Sequence, residues 1–321
     1  MPDLDCAYVR IVILLLFLVA VSCKSAPTRM VRMIEDGPPD DDAFRVAVLH
    51  QTSIVGERTT EAEADAIFEA NWRQTEPLIR MAANVGAKVV VTPEYGNTGN
   101  HIQVEERYNA STLIPAAPTT RPLWEFEDDG IEPYMISYAR LAKELGIYIV
   151  TNALEREDKG GERNFYNTMV AIDPEGKVVA RYRKINLYMV EHMLETSGDE
   201  TCSFETPYGT FGMLLCFDAI VPWTWGEVKD DHAVDFLIVS SLWQPYVPLP
   251  GRAAMNLLAN MAGMPVLWSN QSSAGTGGDA GIIRPAANDT AMGLWGPEGV
   301  AVGNLHLPRR LRVTARLPET R

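Results

Sequence analysis

The chain of 321 residues is poor in cysteine and histidine and carries no excess of positive charge. Of its 4 cysteines, Cys6 and Cys23 lie near the N-terminus, leaving Cys202 and Cys216 for the body of the protein. At most one disulfide could form there, so this is not a scaffold held together by disulfides. The histidines, His50, His101, His192, His232 and His306, have no motif around them. No His or Cys pair has metal-ligand spacing, so neither a metal, a cofactor nor a histidine-activated thiol is expected. Lys and Arg number 28 against 42 Asp and Glu, a net charge of -14, which argues against a nucleic-acid partner. No helix-turn-helix, zinc-finger or phosphate-loop motif occurs, and there is no internal repeat. The longest apolar run, residues 11–21, falls short of the ~20 residues that span a bilayer.

That run instead has the length of a signal-peptide core, followed by the small residues Ala20-Val21-Ser22, so export is expected. Cys23, directly after it, resembles a bacterial lipoprotein box and is the candidate for a lipid anchor, the sole membrane attachment expected. Residues 1–23 therefore read as a leader. Residues 24–43, with prolines and an acidic cluster, read as a flexible linker. Residues 44–308 read as one folded domain, and 309–321 as a basic tail. Three glycosylation patterns, at Asn109, Asn270 and Asn288, matter only in a eukaryotic secretory host.

Within the domain, apolar β-branched runs alternate with helical segments. Strands are expected at 44–50, 87–92, 147–151, 236–241 and 265–269, and helices at 61–83, 133–145 and 252–262. Residues 164–172 and 177–182 form a hairpin across Asp173-Pro-Glu-Gly176. This order predicts an α/β fold with two helix layers. Chemistry in such folds collects at the carboxyl ends of strands. There the run Gly209-Thr-Phe-Gly-Met-Leu-Leu-Cys-Phe-Asp218 delivers a single thiol, Cys216, and Pro222 rules out a continuing central strand. Glu94 follows Val89-Val-Val-Thr-Pro and would be partly desolvated, as a general base requires. Lys184 follows the hairpin, and alternation puts it on the side of Tyr182, opposite Arg181 and Arg183. Each has a bland alternative: a core cysteine, a solvated glutamate, an edge lysine. Together they supply a nucleophile, a base and a cation for acyl transfer through a thioester.

These segments resemble the nitrilase superfamily of carbon–nitrogen hydrolases. Thr92-Pro-Glu-Tyr95 is similar to its glutamate motif, Tyr182-Arg-Lys-Ile-Asn-Leu187 to its lysine motif, and Leu215-Cys-Phe-Asp218 to its cysteine motif. Asn167-Thr-Met-Val-Ala-Ile-Asp173 and the Gly-rich loop at 274–281 are further matches. Lys184-Ile-Asn-Leu-Tyr188, Phe204-Glu-Thr-Pro207 and Ser241-Leu-Trp243 point to the exported vanin and biotinidase group, although the long C-terminal domain of its animal members has no counterpart in this sequence. The resemblance implies a four-layer α-β-β-α sandwich and a homodimer. It implies a small amide as substrate, cleaved by a Glu94-Lys184-Cys216 triad. The Phe217 backbone N–H would help hold the oxyanion, and Glu191, with Glu195 behind it, would assist. Tyr95 and Trp243 are candidates for the pocket wall, with a packed core position the equal alternative for Trp243.

Overall fold

The computed structural model describes residues 31–56, 59–99, 108–243, 250–271, 279–285, 292–295 and 298–311. The expected leader with Cys23, the Gly-rich loop up to residue 278 and the Asn288 pattern lie outside the described residues.

Local chemistry sets the helix ends. Helix α1 (Glu61–Asn84) opens on a capping box, in which Thr60 and Glu63 satisfy each other's backbone N–H. Helix α2 (Pro133–Leu145) begins on a proline, harmless where the N–H has no partner, and stops at Gly146 in the left-handed conformation. A single turn, α3 (Glu191–Leu194), follows later. Pro222 opens α4 (Pro222–His232), and α5 (Gly251–Ala262) follows it in the chain.

Strands β1 (Arg32–Glu35), β2 (Ala43–Gln51), β3 (Ala87–Val91), β4 (Tyr148–Lys159), β5 (Glu162–Ile172) and β6 (Val178–Arg183) come first. Then come β7 (Ser203–Thr206), β8 (Gly209–Leu215), β9 (Phe236–Ser241), β10 (Val266–Gln271), β11 (Asp279–Ile283), β12 (Met292–Trp295) and β13 (Gly299–His306). They join in two halves. One runs β6-β5-β4-β3-β2 and continues through β13 to β1; the other runs β7-β8-β9-β10-β11-β12. The junction is β2, which β13 flanks from Ala43 to His50 and β10 meets only at His50 and Gln51. From that corner the halves diverge and face each other across an apolar layer. Val46, Val48, Val89, Val91 and Val150 of the first half meet Met213, Leu215, Phe236, Ile238 and Leu267 of the second.

The outward-facing residues of each half bury a pair of helices. α1 and α2 cover the first through Phe68, Leu78, Ile79, Met135 and Leu141. α4 and α5 cover the second through Val228, Met255 and Leu258. Each such side chain, fully buried, stabilises by about 1.5–3 kcal/mol. In β8, Phe211, Met213 and Leu215 point into the sandwich while Leu214 points to the helices, the period of a pleated strand. Gly212 takes an outward position because a Cβ there would lie 2.3 Å from Val228 Cγ1, so α4 can close onto the strand. The result is the expected four-layer α-β-β-α sandwich.

Three features differ from expectation. The linker assigned to 24–43 contributes β1, which pairs parallel to β13, and Asp36 then accepts hydrogen bonds from Arg284 and the Asn304 N–H. An open strand edge offers unpaired backbone groups, and this stretch satisfies them. The domain also continues past 308, since both terminal nitrogens of Arg310 bond Asp235. Finally, β4 runs on to Lys159 and turns at Gly160 and Gly161, both with positive φ. Its polar end is held across the sheet, where buried Glu155 accepts from Arg181 and Arg183. Of the glycosylation patterns, Asn270 is sealed inside, its side-chain oxygen accepting from Ser241 and the Trp243 N–H.

Candidate active site

Strands β4, β3, β2, β10, β9 and β8 are successively parallel, and β6, antiparallel to β5, runs along the direction of β4. Their carboxyl ends therefore open on the same side. Glu94 stands there beyond β3, Lys184 beyond β6, and Cys216 beyond β8. The structure brings these three sequence-predicted residues together.

Glu94 is 1% exposed, and all of its carboxylate partners are donors. Its Oε1 accepts from Lys184 Nζ at 3.0 Å and from Asn167 Nδ2 at 2.8 Å. Its Oε2 accepts from the Leu242 N–H at 2.7 Å. Gln271 Nε2 also reaches the Glu94 carbonyl at 2.7 Å, which ties the turn to β10. Lys184, equally buried, donates to Glu191 Oε1 at 2.8 Å. Burial alone would push its pKa down, but Glu94, the Cys216 sulfur and Glu191 outweigh it and hold the ammonium well above the ordinary lysine value.

Cys216 has φ +45, the left-handed region that a side chain rarely adopts, and begins a 3-10 turn, Cys216–Ile220. Strained residues of this kind persist only where surroundings over-determine them. Here the constraint is Asp218. One of its oxygens accepts from Tyr182 Oη at 2.7 Å and from the Leu215 N–H at 3.3 Å. The other takes the Asn186 N–H and Nδ2, each at 2.8 Å. Asp218 thereby joins the cysteine turn to the segment after Lys184, and burial raises its own pKa. The Cys216 thiol is pushed well above its ordinary value by burial, then by Glu94 and Glu191, against the opposing pull of Lys184 and the Leu242 N–H. At rest it is a thiol within electrostatic reach of Glu94 and Lys184. Cys202 is also free and partly buried.

The accessory residues divide. Glu191 accepts from Lys184, and its other oxygen accepts the Tyr188 N–H at 2.6 Å. Tyr95, expected in the pocket wall, is buried, and its hydroxyl lies 2.9 Å from Glu195 Oε1 and 3.3 Å from Glu191 Oε1. It accepts from Asn167 Nδ2 at 2.9 Å, so it braces carboxylates. Trp243, the other wall candidate, is packed in the core formed by α4, α5 and the second half-sheet. The Phe217 ring stacks obliquely on Tyr188, with centroids 5.3 Å apart. Sequence reasoning assigned no role to Asn167, Asp218 or the Leu242 N–H. A polar residue such as Asn167, fully buried in a strand, was the available signal, because burial obliges it to bond.

Comparison with known proteins agrees with this architecture. Residues 46–312 match the family model Carbon-nitrogen hydrolase. A pantetheinase of Mus musculus is 30% identical over 81% of this chain and 52% of its own length. A pantetheinase of Canis lupus familiaris is 30% identical over 74% and 46% respectively. The chain thus spans about half the length of these curated relatives. A nitrilase of Pyrococcus abyssi is 28% identical over 59% of this chain and 66% of that one. Among solved structures, an amidase from Nesterenkonia sp. superposes with TM-score 0.60 at 18% identity, covering 88% of this chain and 99% of the other. Nit3 of Saccharomyces cerevisiae, in branch 10 of the nitrilase superfamily, gives 0.62 at 18% identity over 87% and 96%. These likenesses are to the fold. With the sandwich, the three strand ends and a family match over most of its length, the chain belongs to the carbon–nitrogen hydrolase family, in its vanin-like nitrilase branch.

Proposed function

We propose that the protein is an exported amidase that hydrolyses a small non-peptide amide through a thioester on Cys216. The observation that carries this reading is the buried Glu94–Lys184–Glu191 arrangement, 3.0 and 2.8 Å across the ammonium, acting on one strained thiol. Glu94 takes the thiol proton as Sγ bonds to the amide carbonyl carbon. Lys184 and the Phe217 N–H hold the oxyanion, favoured because the site is buried. The C–N bond breaks, the amine leaves with the proton from Glu94, and the acyl group stays on sulfur. Glu94 then takes a proton from water, hydroxide attacks the thioester, and the thiol is restored as the carboxylic acid departs. A cysteine held as a thiol suits this order, since its proton moves only when a carbonyl is in place.

The pantetheinase relatives make pantetheine the first substrate to try, with biotinyl amides and nitriles beside it. Export rests on the apolar run 11–21, and lipid attachment on Cys23; among the described residues no helix is long and apolar enough to cross a membrane. A homodimer is part of the proposal, with Trp223 on α4 and Leu257 and Met261 on α5 exposed as a candidate contact. The test is turnover of that panel by wild type and Cys216→Ala, with intact mass followed for a trapped acyl group. Turnover lost in the variant, with an acyl adduct on Cys216 in the wild type, is expected. Folded wild-type protein that turns over nothing and forms no adduct refutes it.

A further inference from the structure

Glu195 lies one turn beyond Glu191, half-buried at the rim of the site. The Tyr95 hydroxyl has a single proton and two carboxylates in reach, Glu195 at 2.9 Å and Glu191 at 3.3 Å. Burial, and then the charges of Glu195, Glu191 and Glu94, raise the phenol's pKa well above its ordinary value, so it remains a donor. The proton is best given to the nearer oxygen. The lone pairs of Tyr95 then face Asn167, whose Nδ2 carries two hydrogens, one for Tyr95 at 2.9 Å and one for Glu94 at 2.8 Å. Asn167 cannot reverse its amide, because its oxygen accepts from Asn152 Nδ2 at 2.6 Å. Asn152 is fixed in turn by the Thr168 carbonyl and the Tyr95 N–H.

We propose that Glu195 is a positioning residue: by accepting the Tyr95 proton it leaves the phenol lone pairs to Asn167 and keeps Glu191 Oε1 for Lys184. Without that acceptor the phenol turns to Glu191 Oε1, the oxygen that holds Lys184 at 2.8 Å. Lys184 is then released towards Glu94, and a base that shares more of its charge with an ammonium is a poorer base. The charged groups that act on Tyr95 are Glu195, Glu191 and Glu94, and Glu94, Lys184 and Glu191 act in turn on the Cys216 sulfur, so the consequence is read at the thiol.

This inference rests on Cys216 being the nucleophile, and the experiment separates the two. Full-length wild type, Glu195→Ala, Glu195→Gln, Tyr95→Phe and the Tyr95→Phe/Glu195→Ala double variant are alkylated with iodoacetamide over a pH series, and each cysteine is followed by peptide mass. Ala and Gln lose the same charge, but the Gln carbonyl still accepts the phenol proton. Cys216 in Glu195→Ala is therefore expected to react about tenfold more slowly than in Glu195→Gln, the value of one hydrogen bond among charged groups. The double variant should match Tyr95→Phe alone, because Glu195 acts only through that hydroxyl. Cys202 is the internal control: its rate rises if a variant has merely opened. Equal rates for Ala and Gln, or losses that multiply in the double variant, overturn the proposal. A wild type whose Cys216 reacts no faster than Cys202 overturns the nucleophile reading, and this one with it.

Discussion

Replacing Lys184 with methionine keeps the length and apolar stem of the side chain but strands two carboxylates. Lys184 is 1% exposed, with Glu94 at 3.0 Å and Glu191 at 2.8 Å. Removing one member of a buried ion pair costs about 3–5 kcal/mol, because the remaining charge stays out of water. With two carboxylates left behind, roughly 4 kcal/mol is expected at neutral pH. For a domain of this size that is a fall in Tm of roughly 8–16 °C. The loss depends on pH. In the wild type, Lys184 has a raised pKa, so its contribution is complete below ~10.4 and is lost only as pH rises through the folded-state value. Thermal melts of both proteins at neutral pH measure the fall in Tm, and Glu191→Gln added to the variant should recover roughly half of the loss. A Tm change under about 2 °C would refute a lysine buried between two carboxylates.

Two further outcomes follow from the cysteine turn. At φ +45 a Cβ costs about 1–2 kcal/mol, so Cys216→Gly should melt a few degrees above Cys216→Ala; the reverse order in calorimetry would contradict the left-handed turn. Asp218→Ala removes the acceptor for Tyr182, Asn186 and the Leu215 N–H, and is expected to cost about 2–4 kcal/mol. Turnover should fall by at least about tenfold in the molecules that remain folded, and a variant with unchanged kcat would show that the turn holds Cys216 without it.

Much of this protein is legible residue by residue. The apolar runs at 87–91 and 209–215, each ending in turn residues, announce buried strands because runs this short between turn signals fit a strand and not a helix. Pro133 and Gly146 mark the ends of α2 through constraints internal to their own backbones. Glu94, Lys184 and Cys216 are recognisable because each follows a strand within three residues, and parallel strands present their carboxyl ends on one side.

What stayed hidden depends on partners distant in sequence. The polar end of β4 reads as loop until Arg181 and Arg183, brought alongside by the sheet, neutralise Glu155. Residues 32–35 read as linker because the edge they pair with, β13, comes at the far end of the chain. Tyr95 and Trp243 both read as pocket walls, since an aromatic beside a strand end has no intrinsic direction; packing turned one to carboxylates and the other into the core. Asp218 and the Leu242 N–H owe their roles to hydrogen bonds that exist only once the two half-sheets meet, and Asn167 owes its role to the pairing of β5 with β4 beside β3. The sequence by itself determined which chemical groups arrive at the strand ends, because those groups are covalent neighbours of the strands. Only the tertiary structure decided their orientation and charge, because both are set by burial and by donors from elsewhere in the chain.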